Sequence, residues 1–228
     1  MSAIATATGL LSLQARVVNP GGTTPTVLQR RLELVADAVS ERYSCILLAP
    51  LQVNEGGSFD FRVQLDGAPA GSLDGAARLV EMICELTLRL TPVRCHFAVL
   101  PGAGADFSSA FKEARNERLF LVGNGFGGID DHSITGAFAG IGVLLWGWTE
   151  RQSQFVRALL REGVVAVSEN AQGQLKFVAE RKRREIAAAF KVSPSVVTEC
   201  LQAAQVKRFR YQVWAATDLL HRIVCGRA

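Results

Sequence analysis

Apolar and polar residues follow one another over the first hundred positions with spacings that predict six elements. Alternation with a period of two indicates a strand, and apolar residues three or four apart indicate a helix. In chain order the predicted elements are a strand over Gly9–Val18, a helix from Pro25 with Leu28, Leu32, Val35 and Val39 on one face, a strand over Cys45–Leu51, a strand with Phe59, Phe61, Val63 and Leu65 on one side, a helix over Ala76–Leu90, and a strand over Val93–Leu100. The order β-α-β-β-α-β predicts an α+β fold: a ferredoxin-like antiparallel sheet with two helices on one face.

The next part of the chain is predicted to hold a helix over Asp106–Asn116, a strand over Leu119–Val122 and the glycine-rich loop Gly123–Gly128. The loop has the spacing G-x-G-x-x-G, but two acidic residues follow it and would repel a phosphate, so a turn is favoured over a dinucleotide site. The apolar segment Ile134–Trp148 is too short to span a membrane and indicates a buried helix, capped by Asp131 or Ser133.

The last third of the chain predicts helices only. Thr149 and Gln152 have the spacing of a capping box at the start of one helix. A helix over Val178–Phe190 and a helix over Pro194–Gln205 then flank a tight turn at Lys191-Val192, with Ser193 as the N-cap of the second. The inward residues Ile186, Ala187, Val197 and Leu201 have the spacing of a helix-turn-helix. The predicted C-terminal domain is therefore an all-α helix-turn-helix.

Charge separates the same two parts. The chain has 25 Lys and Arg against 21 Asp and Glu. Residues 1–147 have a net charge of −3 and residues 148–228 a net charge of +7. We therefore predict a ferredoxin-like domain over 1–147 and a basic helix-turn-helix domain over 148–228, the second with a polyanion as its partner.

Double-stranded DNA is the predicted partner of the basic domain, because polar groups on the second helix can meet base edges and the surrounding cations can meet phosphates. The predicted contact residues are Arg181, Lys182, Arg183, Arg184, Lys191, Ser193, Ser195, Thr198, Gln202, Lys207, Arg208 and Arg210. Glu199 on the same face counts against this prediction unless its carboxylate accepts from cytosine. A helical hairpin for protein contact is the alternative.

Cysteine and histidine usage adds no catalytic or metal site. The five cysteines are odd in number and form no CxxC pair, and Cys45 and Cys84 lie in apolar runs. They indicate buried, reduced thiols in a reducing, cytoplasmic compartment. The three histidines are scattered, and neither a P-loop nor a nucleophile elbow occurs. No cofactor and no metal are expected, and an enzyme is not favoured.

Most of the chain, over residues 9–220, resembles the SatD family of bacterial proteins. The resemblance rests on Leu28–Leu32, on the segment Gly56–Phe59 with the long helix after it, and above all on Trp148–Gln152 followed by a helix-turn-helix. It implies a nucleotide-cyclase-type sheet joined to a C-terminal helix-turn-helix.

The chain departs from that family where cyclase-type chemistry would lie. The family usually has a Gly-Asp pair on the first strand and Gly-Asp-Glu-Phe at the hairpin. Here the first strand has no acid, the hairpin segment Gly56–Phe59 has neither acid, and only Glu55 and Asp60 flank it. Since phosphoryl chemistry needs carboxylates to hold Mg²⁺, we expect a degenerate site. The leading hypothesis is a regulatory DNA-binding protein with a dimerising or sensing body. The alternatives are an assembly protein that uses its helices for homomeric contacts, and a metal-dependent nucleotide-handling enzyme.

Overall fold

The structure is a computed structural model and describes residues 9–65, 74–103, 106–160, 167–169, 175–177 and 182–224. These residues form a mixed α/β structure with a five-stranded sheet, a separate two-stranded sheet and eight helices. The elements are β1 (Leu10–Asn19), α1 (Pro25–Arg42), β2 (Gln52–Asn54), β3 (Ser58–Gln64), α2 (Asp74–Leu90), β4 (Arg94–Pro101), α3 (Ser108–Glu117), β5 (Leu121–Gly123), α4 (Gly128–Gly147), α5 (Glu150–Leu159), β6 (Val167–Glu169), β7 (Leu175–Phe177), α6 (Arg183–Ala189), α7 (Pro194–Ala203) and α8 (Val206–Val224).

The large sheet has the strand order β2-β3-β1-β4-β5. The central strand β1 is antiparallel to both neighbours, with Leu13 opposite Phe61 on one side and Val99 on the other. β5 lies parallel to β4 at the edge. The first six elements thus occur in the predicted order, and β5 extends the sheet by a strand whose pairing the sequence pattern did not predict.

Helices pack on both faces of the sheet. Successive strand residues point to opposite faces, and apolar residues of β4 point to each of them. Phe97 and Val99 of β4 belong to the main hydrophobic core, which also holds residues of α1 and α2. Ala98 and Leu100 point to the opposite face, where they pack with Phe111 of α3. β4 is therefore buried on both faces, which explains its nearly continuous apolar sequence.

The predicted strand over Cys45–Leu51 is wrong. The chain there turns directly after α1, and the backbone N–H groups of Ile46 and Leu47 both donate to the carbonyl of Tyr43. Only an isolated bridge joins Leu47 to Val63, and β2 forms later. Cys45 is consequently exposed, not buried as expected.

Cys84 and Cys95 are buried as predicted. Burial raises the pKa of the Cys95 thiol to about 12. Since the thiolate is the reactive species, the Cys95 side chain is an inert part of the core.

Helix α4 begins earlier than its apolar sequence predicts. The Asp131 carboxylate accepts a hydrogen bond from the backbone N–H of Phe126 at 2.9 Å, which ties the preceding loop to the first turn. The Ser133 hydroxyl instead donates to the Ile129 carbonyl inside the helix, so Ser133 is not a cap. The helix is buried on one side as predicted, with Ile134, Phe138 and Ile141 inside.

The C-terminal part differs from the prediction in two ways: it contains two short strands, and its last helix, α8, was not predicted. The short strands β6 and β7 pair antiparallel and are too brief for their alternation to stand out in the sequence. Helix α8 follows α7 after a short turn and packs on α4 and α2. The main hydrophobic core therefore continues past residue 147 into α5, α7 and α8, and the boundary between residues 147 and 148 stays a prediction. In the described part of the chain, no helix has the length and apolar character required to cross a membrane.

Candidate nucleic-acid interface

Helices α6 and α7 pack against each other, and the turn between them has the predicted position. Lys191 adopts a left-handed conformation with φ 52°, and the next N–H, of Val192, donates to the carbonyl of Ala187 at 3.0 Å. These features end α6, and four residues then separate it from α7. Helix α6 begins at Arg183, since Lys182 has extended backbone. The predicted start at Val178 lies outside the described residues.

Ser193 starts the second helix, as predicted. Its side-chain oxygen accepts from the backbone N–H of Val196, and Pro194 occupies the first helical position. Proline fits there because its missing N–H has no partner in the first turn of a helix. The inner face of α7 is formed by Val197 and Leu201, which are both buried. Residues on the opposite face of the helix are exposed to solvent.

Replacing Ser193 by alanine is expected to destabilise the protein by about 1 kcal/mol, the usual effect of losing an N-cap. Urea unfolding followed by circular dichroism measures the change. Ser195→Ala is the matched control, because Ser195 is exposed and its hydroxyl contacts that of Ser193 instead of the backbone. We expect the control to change stability by less than about 0.5 kcal/mol. Equal effects of the two variants would contradict the capping role.

Helix α5 and its entry residue hold the pair in place. The Phe155 and Phe190 rings meet edge to face with centroids 4.9 Å apart. Trp148 donates from its indole Nε1 to the carbonyl of Ala204 at 2.9 Å and packs edge-on against Phe209. The predicted capping box of Thr149 and Gln152 is present in full. The end of α7 is therefore attached to the start of α5 and to α8.

Most of the predicted contact residues lie at the surface. The exposed residues among them are Lys182, Arg183, Arg184, Lys191, Ser193, Ser195, Gln202, Lys207 and Arg208. Thr198 is half-buried, and its hydroxyl donates to the Pro194 carbonyl at 2.9 Å. Arg181 lies outside the described residues. The exposed side of α7 thus presents Ser195, Glu199 and Gln202, which are four and three positions apart and share one face.

Arg210 cannot contact a phosphate backbone, and its assignment is wrong. Arg210 is only 1% exposed. It lies on the inner side of α8, in the same stripe as Val206 and Val213, at helical spacing of three and four. This helix was not predicted, although Phe209, Val213, Ala216 and Leu220 recur at the spacing that identifies one.

The structure also brings several predicted residues together around one concave surface. Arg183 from the start of α6, Gln202 from the end of α7, and Lys207 and Arg208 from the start of α8 line the same cavity. Their positions in the sequence, up to 25 residues apart, gave no sign of this proximity.

The hairpin between β2 and β3 carries no cluster of carboxylates. The Asp60 carboxylate accepts from the amide side chains of Gln14 and Asn54 on the surface of the sheet. Glu55 is exposed in the turn. Across the described residues, no group of three or more His, Cys, Asp or Glu side chains is placed to hold a metal ion.

The glycine-rich loop leads directly into helix α4, which begins at Gly128. Gly125 and Gly127 adopt positive φ and bring the chain from β5 into α4. Asp130 and Asp131 occupy the first turn of that helix. Because both acids would repel a phosphate, the geometry alone does not make a nucleotide site.

Comparison with protein families, with curated proteins and with solved structures finds no match to this chain. The resemblance to the SatD family therefore stays a prediction.

Proposed function

We propose that this protein binds double-stranded DNA through the helix pair α6–α7, with α7 as the helix that enters the major groove. The observation that carries the proposal is the exposed polar face of α7, bordered by exposed cations at the start of α6, in the turn and at the start of α8. A recognition helix needs this combination, since cations position the protein on phosphates while polar side chains contact base edges.

Three cations precede or open α6, namely Lys182, Arg183 and Arg184. All three are exposed. A positive charge gains nothing at the N-terminus of a helix, because the helix dipole is positive there. Their presence at this position is better explained by an external anion than by the stability of α6.

The exposed face of α7 that would contact the bases is short and carries both neutral polar and acidic side chains. Ser195 and Gln202 offer both donors and acceptors, and Gln pairs well with adenine in the major groove. Glu199 lies between them and is exposed. In this proposal its carboxylate accepts from a cytosine amino group, which makes Glu199 a determinant of sequence choice.

The body of the protein fits a supporting role. The strand order β2-β3-β1-β4, with α1 and α2 packed in the main core, supports our proposal that residues 10–101 form a ferredoxin-like body, with β5 as an added edge strand. A homodimer built on this body would present two copies of α7 to paired half-sites, as regulatory helix-turn-helix proteins do. We therefore place the protein among cytoplasmic DNA-binding regulators of SatD type.

A titration with fluorescently labelled duplex DNA at 50 mM and 200 mM salt tests the proposal. Each phosphate contact contributes a slope of about −0.9 to log K against log salt. The triple variant Lys182→Ala, Arg183→Ala, Arg184→Ala is expected to weaken binding at least about tenfold at the lower salt, and to make the slope shallower by up to about 2.7.

The matched control removes three exposed cations elsewhere: Arg30→Ala, Lys112→Ala and Arg115→Ala, on α1 and α3. It changes the net charge equally and is expected to leave affinity within about threefold and the slope nearly unchanged. Absence of DNA binding by the unmodified protein at 50 mM salt would refute the proposal. Equal losses in the two triple variants would show that net charge alone attracts the DNA.

An assembly role is the second candidate. The observation behind it is that two large apolar side chains of α4, Ile129 and Val143, are 85% and 73% exposed. Light scattering without DNA separates the two functions, because a large assembly that Val143→Glu dissolves would favour this candidate.

A further inference from the structure

A cavity of about 930 Å³ lies where the end of α5, the start of α6, the end of α7 and the first half of α8 meet. Small-molecule sites in proteins have volumes of about 300–1000 Å³. The cavity is open to solvent on one side, so a ligand can enter it without unfolding the helix pair. Its size suits an organic molecule and exceeds what a single inorganic ion would fill.

The charged residues described in the lining of the cavity are all basic. Arg183, Lys207, Arg208 and Arg210 line the cavity, and none of the described residues that line it is acidic. Lys207 and Arg208 are exposed at the mouth. Arg208 donates to the Gln205 side chain at 3.2 Å, which orients its guanidinium beside the opening. Guanidinium groups bind carboxylates through paired hydrogen bonds.

The interior of the cavity is apolar. Tyr211, which is 46% exposed, and Ala215, which is also exposed, line it together with the buried side chains of Leu201 and Val206. A ligand that only carried charge would leave this surface in contact with water. A ligand with an apolar body removes it from water, at about 25 cal/mol for each Å² covered.

We propose that this cavity binds an organic monocarboxylate with an apolar body, such as a medium-chain alkyl carboxylate. The acidic head pairs with the exposed cations Arg208 and Lys207, and the apolar body covers Tyr211 and Ala215. This site is independent of the DNA proposal, because it rests on the cavity and its lining alone.

A regulatory consequence rests on the proposed function. Arg183, Gln202, Lys207 and Arg208 belong both to the cavity and to the proposed DNA-contact surface. A bound carboxylate would neutralise cations that DNA phosphates need, so ligand and DNA would compete. The carboxylate would then act as an effector that releases the protein from DNA.

Isothermal titration calorimetry of the full-length protein without DNA tests the site, with decanoate below its aggregation concentration as the probe. Decanol tests the need for the charged head, and inorganic phosphate tests whether charge alone suffices. We expect one saturable decanoate site, binding of decanol weaker by about tenfold or more, and no saturable phosphate binding.

Two variants locate the site. Arg208→Ala removes the cation at the mouth and is expected to weaken decanoate binding about tenfold. Ala215→Phe places a ring where Ala215 lines the cavity, and is expected to abolish binding. Both residues are exposed, so both variants should fold. Lys112→Ala removes an exposed cation of α3 that does not line the cavity, and it is the control that should bind normally.

Decanoate binding that survives Ala215→Phe, or decanol binding as tight as that of decanoate, would overturn the proposal. Failure of decanoate to bind would do the same. The outcome is separable from that of the DNA proposal. Decanoate binding with no DNA binding leaves the cavity assignment intact, and DNA binding with no decanoate binding removes the cavity assignment alone.

Discussion

Gly142→Ala is expected to destabilise the protein by about 3 kcal/mol, the upper end of what overpacking a core usually costs. A Cβ atom at this position would lie 2.1 Å from the Cβ of Phe120 and 2.7 Å from its Cγ. Phe120 is itself buried between Phe97 and Trp146, with ring centroids 5.2 and 5.7 Å away. Because the Phe120 ring has no room to shift, helix α4 would have to move away from the sheet.

Gly136→Ala in the same helix is the matched control, and this variant is expected to stabilise the protein. A Cβ atom there would meet nothing within 4 Å. Alanine stabilises a helix interior over glycine by about 1 kcal/mol, and this gain is common to both variants. Urea unfolding of the two variants therefore separates the steric term from helix propensity. If both variants were stabilised, the close contact between α4 and Phe120 would not exist.

The elements that could be predicted from the sequence are those in which the pattern of apolar and polar residues matches their burial. The alternation of Phe59, Phe61 and Val63 places β3, because each apolar residue is buried and each polar one is not. The turn at Lys191-Val192 and the cap at Ser193 are equally local, since each depends on residues within one helical turn. Such features require no knowledge of the rest of the chain.

What the sequence could not provide is contact between distant segments. Nothing in Leu121–Gly123 indicates that this strand pairs in parallel with β4. The same holds for the candidate site, where Arg183 and Arg208 line one cavity although 25 residues separate them. Arg210 fails for a different reason: a basic residue suggests the surface, and only its position on α8 between Val206 and Val213 shows that it lies inside.

A second large effect is expected at Glu85, a carboxylate buried between α1 and α2. Its Oε2 accepts from the Tyr43 hydroxyl at 2.9 Å and pairs with Arg42 at 2.9 Å. Its Oε1 pairs with Arg89 at 2.6 Å. The residue is 7% exposed, so these partners replace nearly all of the water that would otherwise solvate the charge. Burial raises the pKa of Tyr43, and the Glu85 charge raises it further, which keeps the phenol a donor.

Glu85→Gln is expected to destabilise the protein by about 2 kcal/mol or more. Breaking a fully buried ion pair costs about 3–5 kcal/mol, and the smaller value applies because Arg42 and Arg89 keep 38% and 26% of their side chains exposed. Asp218→Asn is the matched control. It removes a carboxylate from the i,i+4 pair with Arg222, whose side chain is 73% exposed, and surface pairs of this kind contribute about 0.5 kcal/mol or less. Urea unfolding at neutral pH measures both variants. Because Glu85 lies on α2, which contacts both α5 and α8, hydrogen exchange should also accelerate in those helices in Glu85→Gln. An effect no larger than that of Asp218→Asn would contradict a structural role for the buried charge.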